Sequence, residues 1–365
     1  MDDLGAALRH AHPELEVARE KAEEPVYLVG GAVRDLLLGR PRADVDLVVE
    51  GDAAALAARL GGAEAQHERF GTVKVDLDGH EVDIATARTE TYPEPGALPV
   101  VGPADGIEED LARRDFTVNA MAIPLTGEPR LIDPHGGRED LRRGLLRILH
   151  PRSFEDDPTR AIRAARYASR YGFALEAETD RLLRLADLAT VSADRRRAEL
   201  ERLAAEPTGR VGLGLLAGWG IIDLREGGVE LMESVEDLLK LPRWAELVPR
   251  EQALIAAALG PPGAEEVLAS MWPPKPAEGV ELAERRDPVE LIIARAMGAD
   301  WLDQYLTVWS KVELEIDGGD LIAAGVPQGP AIGRGLRAAR QKRLEGQIVD
   351  REHELAVALA AAREE

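Results

Sequence analysis

The chain has 365 residues, a formal net charge of −22 and no cysteine. This length predicts more than one module. The missing cysteines exclude disulfides, thiolate chemistry and cysteine-bound zinc, and they fit a reducing cytoplasm. The acidic N-terminal segment has no apolar core, so we do not expect a signal peptide. No apolar run approaches the roughly 18 residues of a membrane span. We therefore expect a cytoplasmic protein that does not enter a membrane.

Short β-branched runs bounded by glycine or charged turns predict the first elements of the chain. They place strands at 26–29, 45–49, 73–77, 81–86 and, in addition, near 131–134, with helices at about 32–39 and 52–61. Proline-rich stretches predict loops or boundaries at 93–103 and 272–276. From residue 138 onward, apolar residues recur three and four apart, which is typical of helices. The pattern therefore indicates an α/β head followed by a long helical remainder.

Two glycines, Gly30 and Gly31, lie where the first predicted strand ends and a helix begins. Glycine has no Cβ, so backbone amides there can approach a phosphate, and a helix N-terminus favours negative charge. Arg34 follows on the first turn of the helix, within reach of the same anion. An ordinary strand-to-helix turn also explains two glycines, so this pattern alone only suggests an anion site.

Two aspartates, Asp44 and Asp46, are separated by one residue where the second predicted strand begins. Residues i and i+2 of a strand point to one face, and neighbouring carboxylates repel each other unless a cation lies between them. Oxygen ligands favour Mg²⁺ or Mn²⁺ over zinc. Asp83, between Val82 and Ile84, is the candidate for a third acid. Solvated surface carboxylates remain the alternative for all three.

The segment RRDFTVNAMAI at 113–123 combines phosphate-binding and sugar-binding side-chain types. Arg114 is of a type that contacts phosphate, whereas Asp115 and Asn119 can hydrogen-bond sugar hydroxyls. A helix cap or a loop ion pair is an equally good explanation of this segment alone.

The segment DDPTRAIRAAR at 156–166 begins with a capping carboxylate and a proline in the first turn of a helix. Asp157 and Arg160 together offer an acceptor and a fork of donors that can match the edge of a nucleobase. Arg163 and Arg166 follow at three-residue steps. A capped helix with an intrahelical ion pair is the alternative.

Positive charge is concentrated in two regions of this acidic chain. Residues 138–202 hold 15 Arg against 12 Asp and Glu, and residues 321–344 hold five basic residues and no acid. All five are predicted to bind tRNA, because the four arginines recur at steps of three, which predicts a stripe of like charge that attracts a polyanion: they are Arg334, Arg337, Arg340, Lys342 and Arg343. Pairing of these side chains with the acidic remainder of the chain is the alternative.

The order of these motifs resembles the class II tRNA nucleotidyltransferase and bacterial poly(A) polymerase family. The matching segments are VGGAVRDLLLG (29–39), ADVDLVVEG (43–51), ATARTETYPEPGALP (85–99), EEDLARRDFTVNAMAI (108–123), LIDPHGGREDL (131–141), HPRSFEDDPTRAIRAARYASRYGF (150–173) and, more weakly, ADRRRAELERL (193–203). The resemblance implies a polymerase-beta-like α/β head with a small mixed sheet, followed by an all-α neck, body and tail. The expected boundaries are 1–137 for the head, 138–207 for the neck, 208–310 for the body and 311–365 for the tail.

The resemblance also implies an activity, which is the template-independent addition of nucleotides to tRNA 3′ ends from ATP or CTP, with release of pyrophosphate. By carry-over, Asp44 and Asp46 hold the catalytic metals, with Mg²⁺ (or Mn²⁺) as cofactor. The remaining matched residues bind the nucleotide: Gly30, Gly31 and Arg34 at the triphosphate, Arg114, Asp115 and Asn119 at sugar and phosphates, Asp157 and Arg160 at the base, and Arg163 and Arg166 beside them. Arg195 and Glu199 match the weak last motif, which braces the neck.

The nucleotides that are added stay open at this level. Addition of A alone or of CCA is slightly favoured, and the PGALP and HPRSF segments are most similar to the specialist enzymes. A CC-adding enzyme and a poly(A) polymerase are alternatives within the family, although the acidic ending AAAREE counts against the latter. A small-molecule nucleotidyltransferase or a non-catalytic RNA-binding module would be alternatives outside it. The sequence does not determine the oligomeric state.

Overall fold

The structure is a computed structural model that describes residues 4–40, 44–61, 64–67, 72–260, 263–271 and 275–364. The chain forms two compact units, Met1–Ile222 and Asp223–Glu365. The finer division into head, neck, body and tail stays a prediction.

The first unit contains the strands of the protein that the structure describes. In chain order they are β1 (Val26–Val29), β2 (Val45–Val49), β3 (Glu64–His67), β4 (Thr72–Leu77), β5 (His80–Thr86), β6 (Arg88–Thr91), β7 (Val100–Pro103), β8 (Ala122–Pro124), β9 (Leu145–Leu146) and β10 (Ala174–Leu175). Six of them form one mixed sheet in the order β3-β4-β5-β2-β1-β8. Only β2 and β5 run parallel within it, and the other neighbours are antiparallel. The four strands predicted at 26–86 and the small mixed sheet are therefore present.

Helices surround this sheet and continue beyond it. They are α1 (Leu4–Ala11), α2 (Glu16–Lys21), α3 (Gly31–Leu37), α4 (Ala53–Leu60), α5 (Ile107–Ala112), α6 (Gly137–Arg143), α7 (Ser153–Asp156), α8 (Thr159–Tyr171), α9 (Ala177–Leu183), α10 (Ala193–Ala205) and α11 (Gly209–Gly218). Short 3-10 helices lie at Pro13–Leu15, Thr117–Asn119 and Leu188–Thr190. Local sequence explains several ends. Asp52, for example, caps α4 by accepting a hydrogen bond from the Ala54 amide, and Gly61 ends it in the left-handed conformation.

The alternation of side chains along β2 separates the core from the site. Val45 and Leu47 are buried on one face of the sheet, in the main core with α3 and α4. Asp46 and Val48 point to the opposite face, where a smaller apolar cluster includes Leu111. This second face carries the polar residues described below, because strand side chains alternate with a period of two.

Three expectations about the first unit were wrong in detail. The segment predicted as a loop at 93–103 contains β7, which pairs with β6 as an antiparallel hairpin. The prolines hid this strand, although β7 is an edge strand of a two-stranded sheet, where proline is tolerated. The strand expected near 131–134 is a single bridge between Ala122 and Ile132. The helical remainder is interrupted by β9 and β10, which pair in parallel.

The second unit is helical throughout its described residues. It contains α12 (Gly228–Leu238), α13 (Pro242–Ala245), α14 (Arg250–Leu259), α15 (Ala264–Ser270), α16 (Pro276–Ala283), α17 (Pro288–Ala296), α18 (Trp301–Thr307), a 3-10 helix (Trp309–Lys311), α19 (Gly318–Ala323), α20 (Pro330–Leu344) and α21 (Arg351–Arg363). Of the boundary expected at 272–276, residues 272–274 lie outside the described residues, and Pro276 opens α16. Within the described part of the chain, no helix is both long and apolar enough to cross a membrane.

Candidate active site

A cavity of about 830 Å³ opens in the first unit, and all thirteen residues predicted there to be catalytic or nucleotide-binding lie on its wall. They are Gly30, Gly31, Arg34, Asp44, Asp46, Asp83, Arg114, Asp115, Asn119, Asp157, Arg160, Arg163 and Arg166. Ten arginines line the cavity against eight carboxylates, in a chain whose net charge is −22. The site is thus much more positive than the rest of the protein, as a polyphosphate ligand requires.

The acids of the cavity come from two neighbouring parallel strands. Asp46 on β2 lies directly opposite Asp83 on β5. Asp44 lies one residue before β2 and is exposed, whereas Asp46 is half-buried. The Lys74 ammonium is 3.8 Å from Asp83 Oδ1 and also pairs with Glu81. Three carboxylates therefore converge on one side of the sheet, with a lysine beside the third.

The raised pKa of Asp46 indicates that this site suits a cation. Burial raises the pKa of Asp46 to about 6, the Arg114 charge opposes the rise, and the negative charges of Asp83 and Asp44 add to it. A bound divalent cation would favour the ionised carboxylate and so offset the free-energy cost of its burial. In the described parts of the chain, no group of three or more His, Cys, Asp or Glu side chains is arranged so that it could hold a metal ion by itself. Mg²⁺ commonly binds one or two carboxylates together with substrate phosphates, so Asp44 and Asp46 fit that ion.

Gly30 forms the turn between β1 and α3, directly beside the acids. Its φ of 67° and ψ of −129° are accessible almost only to glycine. A Cβ at this position would lie 2.7 Å from Arg114 Nη1 and 3.9 Å from Asp46 Oδ2. The backbone therefore approaches the charged groups more closely than any side chain would allow.

Arg34 is held differently from the expectation that it faces an anion. Its side chain is buried, and its nitrogens donate to Asp35 Oδ1 at 2.9 Å, Asn119 Oδ1 at 2.5 Å and the Tyr171 hydroxyl at 2.5 Å. The guanidinium also lies 4.4 Å from the centroid of the Tyr171 ring. Since Tyr171 is on α8 and Arg34 on α3, this contact joins the glycine turn to the helix that also carries Arg160, Arg163 and Arg166.

Asp115 and Asn119 form one buried network with Arg163. Asn119 Nδ2 donates to Asp115 Oδ1 at 2.9 Å, and Arg163 donates to Asp115 Oδ2 through Nε at 2.8 Å. Burial opposes ionisation of Asp115, but the Arg163 charge and the Asn119 hydrogen bond outweigh it and hold the pKa of this carboxyl well below its usual range. The network fixes three of the predicted nucleotide-binding side chains relative to one another.

Asp157 and Arg160 flank the start of α8, as expected, but they do not bond to each other through their side chains. Asp157 Oδ1 accepts from the Thr159 amide at 3.1 Å and from Arg195 Nη2 at 3.1 Å. Arg160 is buried and donates to Ser153 Oγ at 2.7 Å and to the Arg113 carbonyl at 3.0 Å. The pair is therefore held in place by its surroundings.

A glycine in the connection between β6 and β7 is hydrogen-bonded to the end of α7, just before α8 begins. The Gly96 amide donates to the carbonyls of Glu155 and Asp156 at 3.2 and 3.3 Å, and its own carbonyl accepts from Arg195 at 2.7 Å. A Cβ on Gly96, whose φ is +72°, would lie 2.5 Å from Thr190 Oγ1. Arg195 thus connects this segment to Asp157.

Sequence reasoning missed several residues of the site. Glu90 accepts from Arg113 at 2.9 Å, Tyr92 donates to Glu90 at 3.2 Å, and the ring of Tyr167 lies near Arg34, Arg163 and Arg166. Glu90 lies on β6 and Tyr92 just after it, outside every strand predicted from the sequence, so no strand pattern pointed to them. Asp110 was also missed, although its spacing of three and four from two arginines on a helix is a detectable signal.

The arginines predicted to bind tRNA in the second unit have mostly internal partners. Arg340 pairs with Glu284 at 2.8 Å, and Arg343 pairs with Glu354 and, at 2.8 Å, with Glu315. Arg334 donates to the Glu364 carbonyl at 3.0 Å, and Lys342 donates to Gln347 at 2.7 Å. These contacts match the alternative of pairing with acidic residues for Arg340 and Arg343. Arg337 is exposed on α20, and tRNA binding by this helix stays a prediction.

We expect Arg343→Gln to destabilise the second unit and Arg337→Gln to leave its stability unchanged. Glu354 is fully buried and also accepts from the backbone amides of Glu315 and Ile316, so removing its arginine leaves a desolvated charge at a cost of roughly 1–3 kcal/mol. Urea unfolding followed by tryptophan fluorescence measures this, because four of the five tryptophans lie after residue 222. Arg337→Gln should instead lower the slope of tRNA affinity against salt by about one. Equal stability of the two variants would contradict the ion-pair assignment.

The mixed sheet, the carboxylates on β2 and the arginine-lined cavity together define a nucleotidyltransferase head. A family model described as the poly A polymerase head domain matches residues 26–147. The CC-adding tRNA nucleotidyltransferase of Deinococcus radiodurans is 34% identical over 356 residues, which cover 93% of this chain and 88% of the relative. The chain therefore belongs to the tRNA nucleotidyltransferase family, which confirms the resemblance seen in the sequence.

Two further comparisons agree with this family. The solved structure of a Thermotoga maritima CCA-adding enzyme complexed with tRNA-CCA matches with a TM-score of 0.74 and 29% identity, covering 98% of both chains. The A-adding tRNA nucleotidyltransferase of Halalkalibacterium halodurans is 45% identical over 194 residues, or 50% of this chain. The chain spans less than half the length of the A-adding relatives: it covers 45% of that protein, and 20% and 19% of those from Aquifex aeolicus and Geobacter sulfurreducens.

Proposed function

We propose that this protein adds nucleotides to the 3′ ends of tRNA, taking them from ATP, CTP or both and releasing pyrophosphate. The observation that carries the proposal is the cavity itself, in which the acids of β2 and β5 face ten arginines. The alignment along 93% of the chain with a tRNA-end enzyme supports it. A cytoplasmic location belongs to the same proposal, since tRNA is the substrate.

In the proposed reaction, the 3′ hydroxyl of tRNA attacks the α-phosphate in line, and pyrophosphate leaves. Asp44 and Asp46 would hold Mg²⁺ (or Mn²⁺), with Asp83 beside them as a third acid. When bound, the ion supplies Lewis-acid stabilisation of the charge that develops on the reacting oxygens. Arg114 contributes a cationic group of the protein, since its Nη1 lies against the Gly30 turn. The cradle of Gly30, Gly31 and Arg114 orients the triphosphate.

Asp157 and Arg160 are proposed to read the base in place of a nucleic-acid template. Arginine has five N–H donors, and within the described residues three contacts occupy Arg160, to Ser153, to the Arg113 carbonyl and, at 3.5 Å, to the Tyr92 hydroxyl. These contacts lock the guanidinium plane and leave donors for a ligand. A locked fork discriminates between base edges better than a mobile one, because less entropy is lost on binding.

Arg160→Lys is expected to lose base discrimination while it keeps triphosphate affinity. A bidentate contact to a base edge is worth roughly 1–3 kcal/mol of discrimination, so the ratio of kcat/KM for ATP and CTP should change by about 10- to 100-fold. The measurement is single-nucleotide addition to one tRNA transcript, with pyrophosphate inhibition as the readout for phosphate binding. The matched control is Arg142→Lys on α6, whose side chain is 73% exposed. An unchanged ratio would remove Arg160 from base reading.

One experiment tests the proposed function as a whole. Three tRNA transcripts, ending before the CCA sequence, after CC and after CCA, are incubated with Mg²⁺ and either ATP or CTP alone, and product lengths are read. We expect addition of a single A to the transcript ending in CC. No extension of any transcript would contradict the proposal, and long adenosine tracts would indicate a poly(A) polymerase instead.

A second candidate is addition of CC alone. The Deinococcus radiodurans relative that aligns with 93% of this chain is named a CC-adding enzyme, whereas the A-adding relative from Halalkalibacterium halodurans aligns with half of it. In the same experiment this candidate requires addition of two C residues to the shortest transcript and no incorporation of ATP.

A further inference from the structure

Asp110 on α5 is a fully buried carboxylate that takes hydrogen bonds from two consecutive arginines. Its exposed fraction is 0%. Oδ1 accepts from Arg113 Nε at 3.0 Å and Nη2 at 2.8 Å, and also from the Arg88 amide at 3.3 Å. Oδ2 accepts from Arg114 Nε at 3.3 Å and Nη2 at 3.0 Å. One side chain therefore sets the orientation of both guanidinium planes.

These contacts separate the two arginines by role. Arg113 uses its remaining terminal nitrogen, Nη1, to donate to Glu90 at 2.9 Å, so all three of its nitrogens have protein partners. Arg114 presents Nη1 on the side away from Asp110. That atom lies 2.7 Å from the position that a Cβ on Gly30 would take, and Asp46 Oδ2 lies 3.9 Å from the same position. Arg114 thus reaches the space between the glycine turn and the acid, and Arg113 does not.

Charge also favours this arrangement. Burial opposes ionisation of Asp110, but the positive charges of Arg114 and Arg113 outweigh it and hold the pKa of this carboxyl below its ordinary value. An ionised Asp110 is a strong acceptor for both arginines at the pH of the cell. The orientation of Arg114 is accordingly maintained without a ligand.

We propose that Asp110 is a positioning residue that holds Arg114 with Nη1 directed at the phosphates of the incoming nucleotide. This inference rests on the proposed function, in which Arg114 contacts the triphosphate. Without Asp110, the Arg114 side chain would have to be ordered at each binding event, and its Nε and Nη2 could turn toward Asp46. Fixing a long side chain in advance lowers the entropy lost on binding. Asp110 itself touches no substrate.

The test is a double-mutant cycle on the full chain with Asp110→Asn, Arg114→Ala and the double variant. Asparagine keeps the size of the side chain but replaces one acceptor oxygen with a donor, which cannot bond to an arginine. The readouts are the Kd of inorganic tripolyphosphate with Mg²⁺ and the KM for ATP against kcat. We expect Asp110→Asn to raise the Kd and the KM about ten-fold, and the double variant to match Arg114→Ala, because the two residues act through one contact. Glu108→Gln, an exposed neighbour on α5, is the matched control and should change nothing.

The outcomes separate this inference from the proposed function. If Arg114→Ala leaves tripolyphosphate binding unchanged, Arg114 does not contact phosphate, and its proposed role fails together with the positioning role of Asp110. Nucleotide addition itself is judged separately, by extension of the tRNA transcripts. If Arg114→Ala weakens binding but Asp110→Asn does not, or if their effects multiply in the double variant, only the positioning role of Asp110 is overturned.

A measurement on the unaltered protein covers the case in which Asp110→Asn does not fold. The Nε–H signal of Arg114 is assigned in a nitrogen-15 NMR spectrum by its loss in Arg114→Ala. We expect this proton to exchange slowly with water in the absence of any ligand, since its partner is a fully buried carboxylate. Rapid exchange, at the rate of an exposed arginine such as Arg142, would overturn the inference.

Discussion

Asp46→Asn is expected to reduce nucleotide addition by several orders of magnitude while raising the stability of the folded protein. Activity should fall because the binding of a metal ion and of nucleotide phosphates depends chiefly on charge. Asparagine removes one of the two carboxylates that are proposed to hold the metal ion. The gain in stability follows because Asp46 is ionised at pH 7 at the expense of burial and of repulsion by Asp83 and Asp44.

The pH dependence of this gain has a definite sign. The folded pKa of Asp46 is about 6, above its ordinary value of 3.8, so the folded state binds a proton more tightly than the unfolded state. The stability contributed by that proton is fully present below about pH 4 and is lost as the pH rises through 6. Above pH 6 the variant should exceed the wild type by about 1–3 kcal/mol without Mg²⁺, and below pH 4 the two should converge.

Urea unfolding between pH 4 and 8, with and without Mg²⁺, measures this difference. Asp105→Asn, an exposed acid in the loop before α5, controls for loss of a negative charge in an acidic protein. Near wild-type activity of Asp46→Asn would remove the assignment of Asp46 as a metal ligand. A variant that is less stable than the wild type at pH 7 would instead show that the carboxylate is satisfied by the protein alone.

Gly30→Ala is expected to lower kcat/KM for both nucleotides by at least about 100-fold. The backbone there adopts a conformation that costs a non-glycine residue roughly 1–3 kcal/mol, and the added methyl group meets Arg114 Nη1 at 2.7 Å. Displacing that arginine removes a charge-assisted contact to phosphate, worth roughly 1.5–3 kcal/mol. Both free-energy costs therefore arise at the turn between β1 and α3, which is proposed to hold the triphosphate.

Gly39→Ala is the control that separates backbone strain from the local clash. Gly39 also has a positive φ, +62°, but nothing lies within 4 Å of the Cβ that would be added. Both variants should lose stability in thermal unfolding, whereas only Gly30→Ala should lose tripolyphosphate binding. A comparable loss of binding in Gly39→Ala would mean that strain alone explains the effect.

Much of the site was predictable because its residues lie at the ends of short, regular elements. The strand with Asp46 has period-two alternation, and Gly30 follows an apolar run, so local patterns located both. Such patterns do not reveal which side chains bond to each other when they are far apart in the sequence. Arg34 was expected to face an anion, yet it donates to Asn119 and Tyr171, which are 85 and 137 residues away in the chain.

The predicted basic stripe on α20 shows the same limit of local sequence patterns. The steps of three between the arginines predicted one stripe, but a helix turns about 100° per residue, so Arg334 and Arg343 lie on opposite sides of α20. Charge density alone also does not say whether an arginine faces RNA or an acid. Glu354, eleven residues after Arg343, lies on the helix that packs against α20. The hairpin of β6 and β7 was missed for a related reason. Its prolines do not suggest a strand, and β7 is recognised by its pairing with β6, which a local sequence pattern does not show.

The contacts around Gly96 bear on how this protein can be re-engineered. Chimaeras that import the 92–99 connection from a relative with different nucleotide preference would carry a foreign backbone into a slot shaped by Thr190, Arg195 and the carbonyls of Glu155 and Asp156. The transplantable unit is therefore the connection together with those partners, and a glycine must be kept at position 96. Exchange of the connection alone would shift Arg195, and through it Asp157, before any difference in specificity could be read.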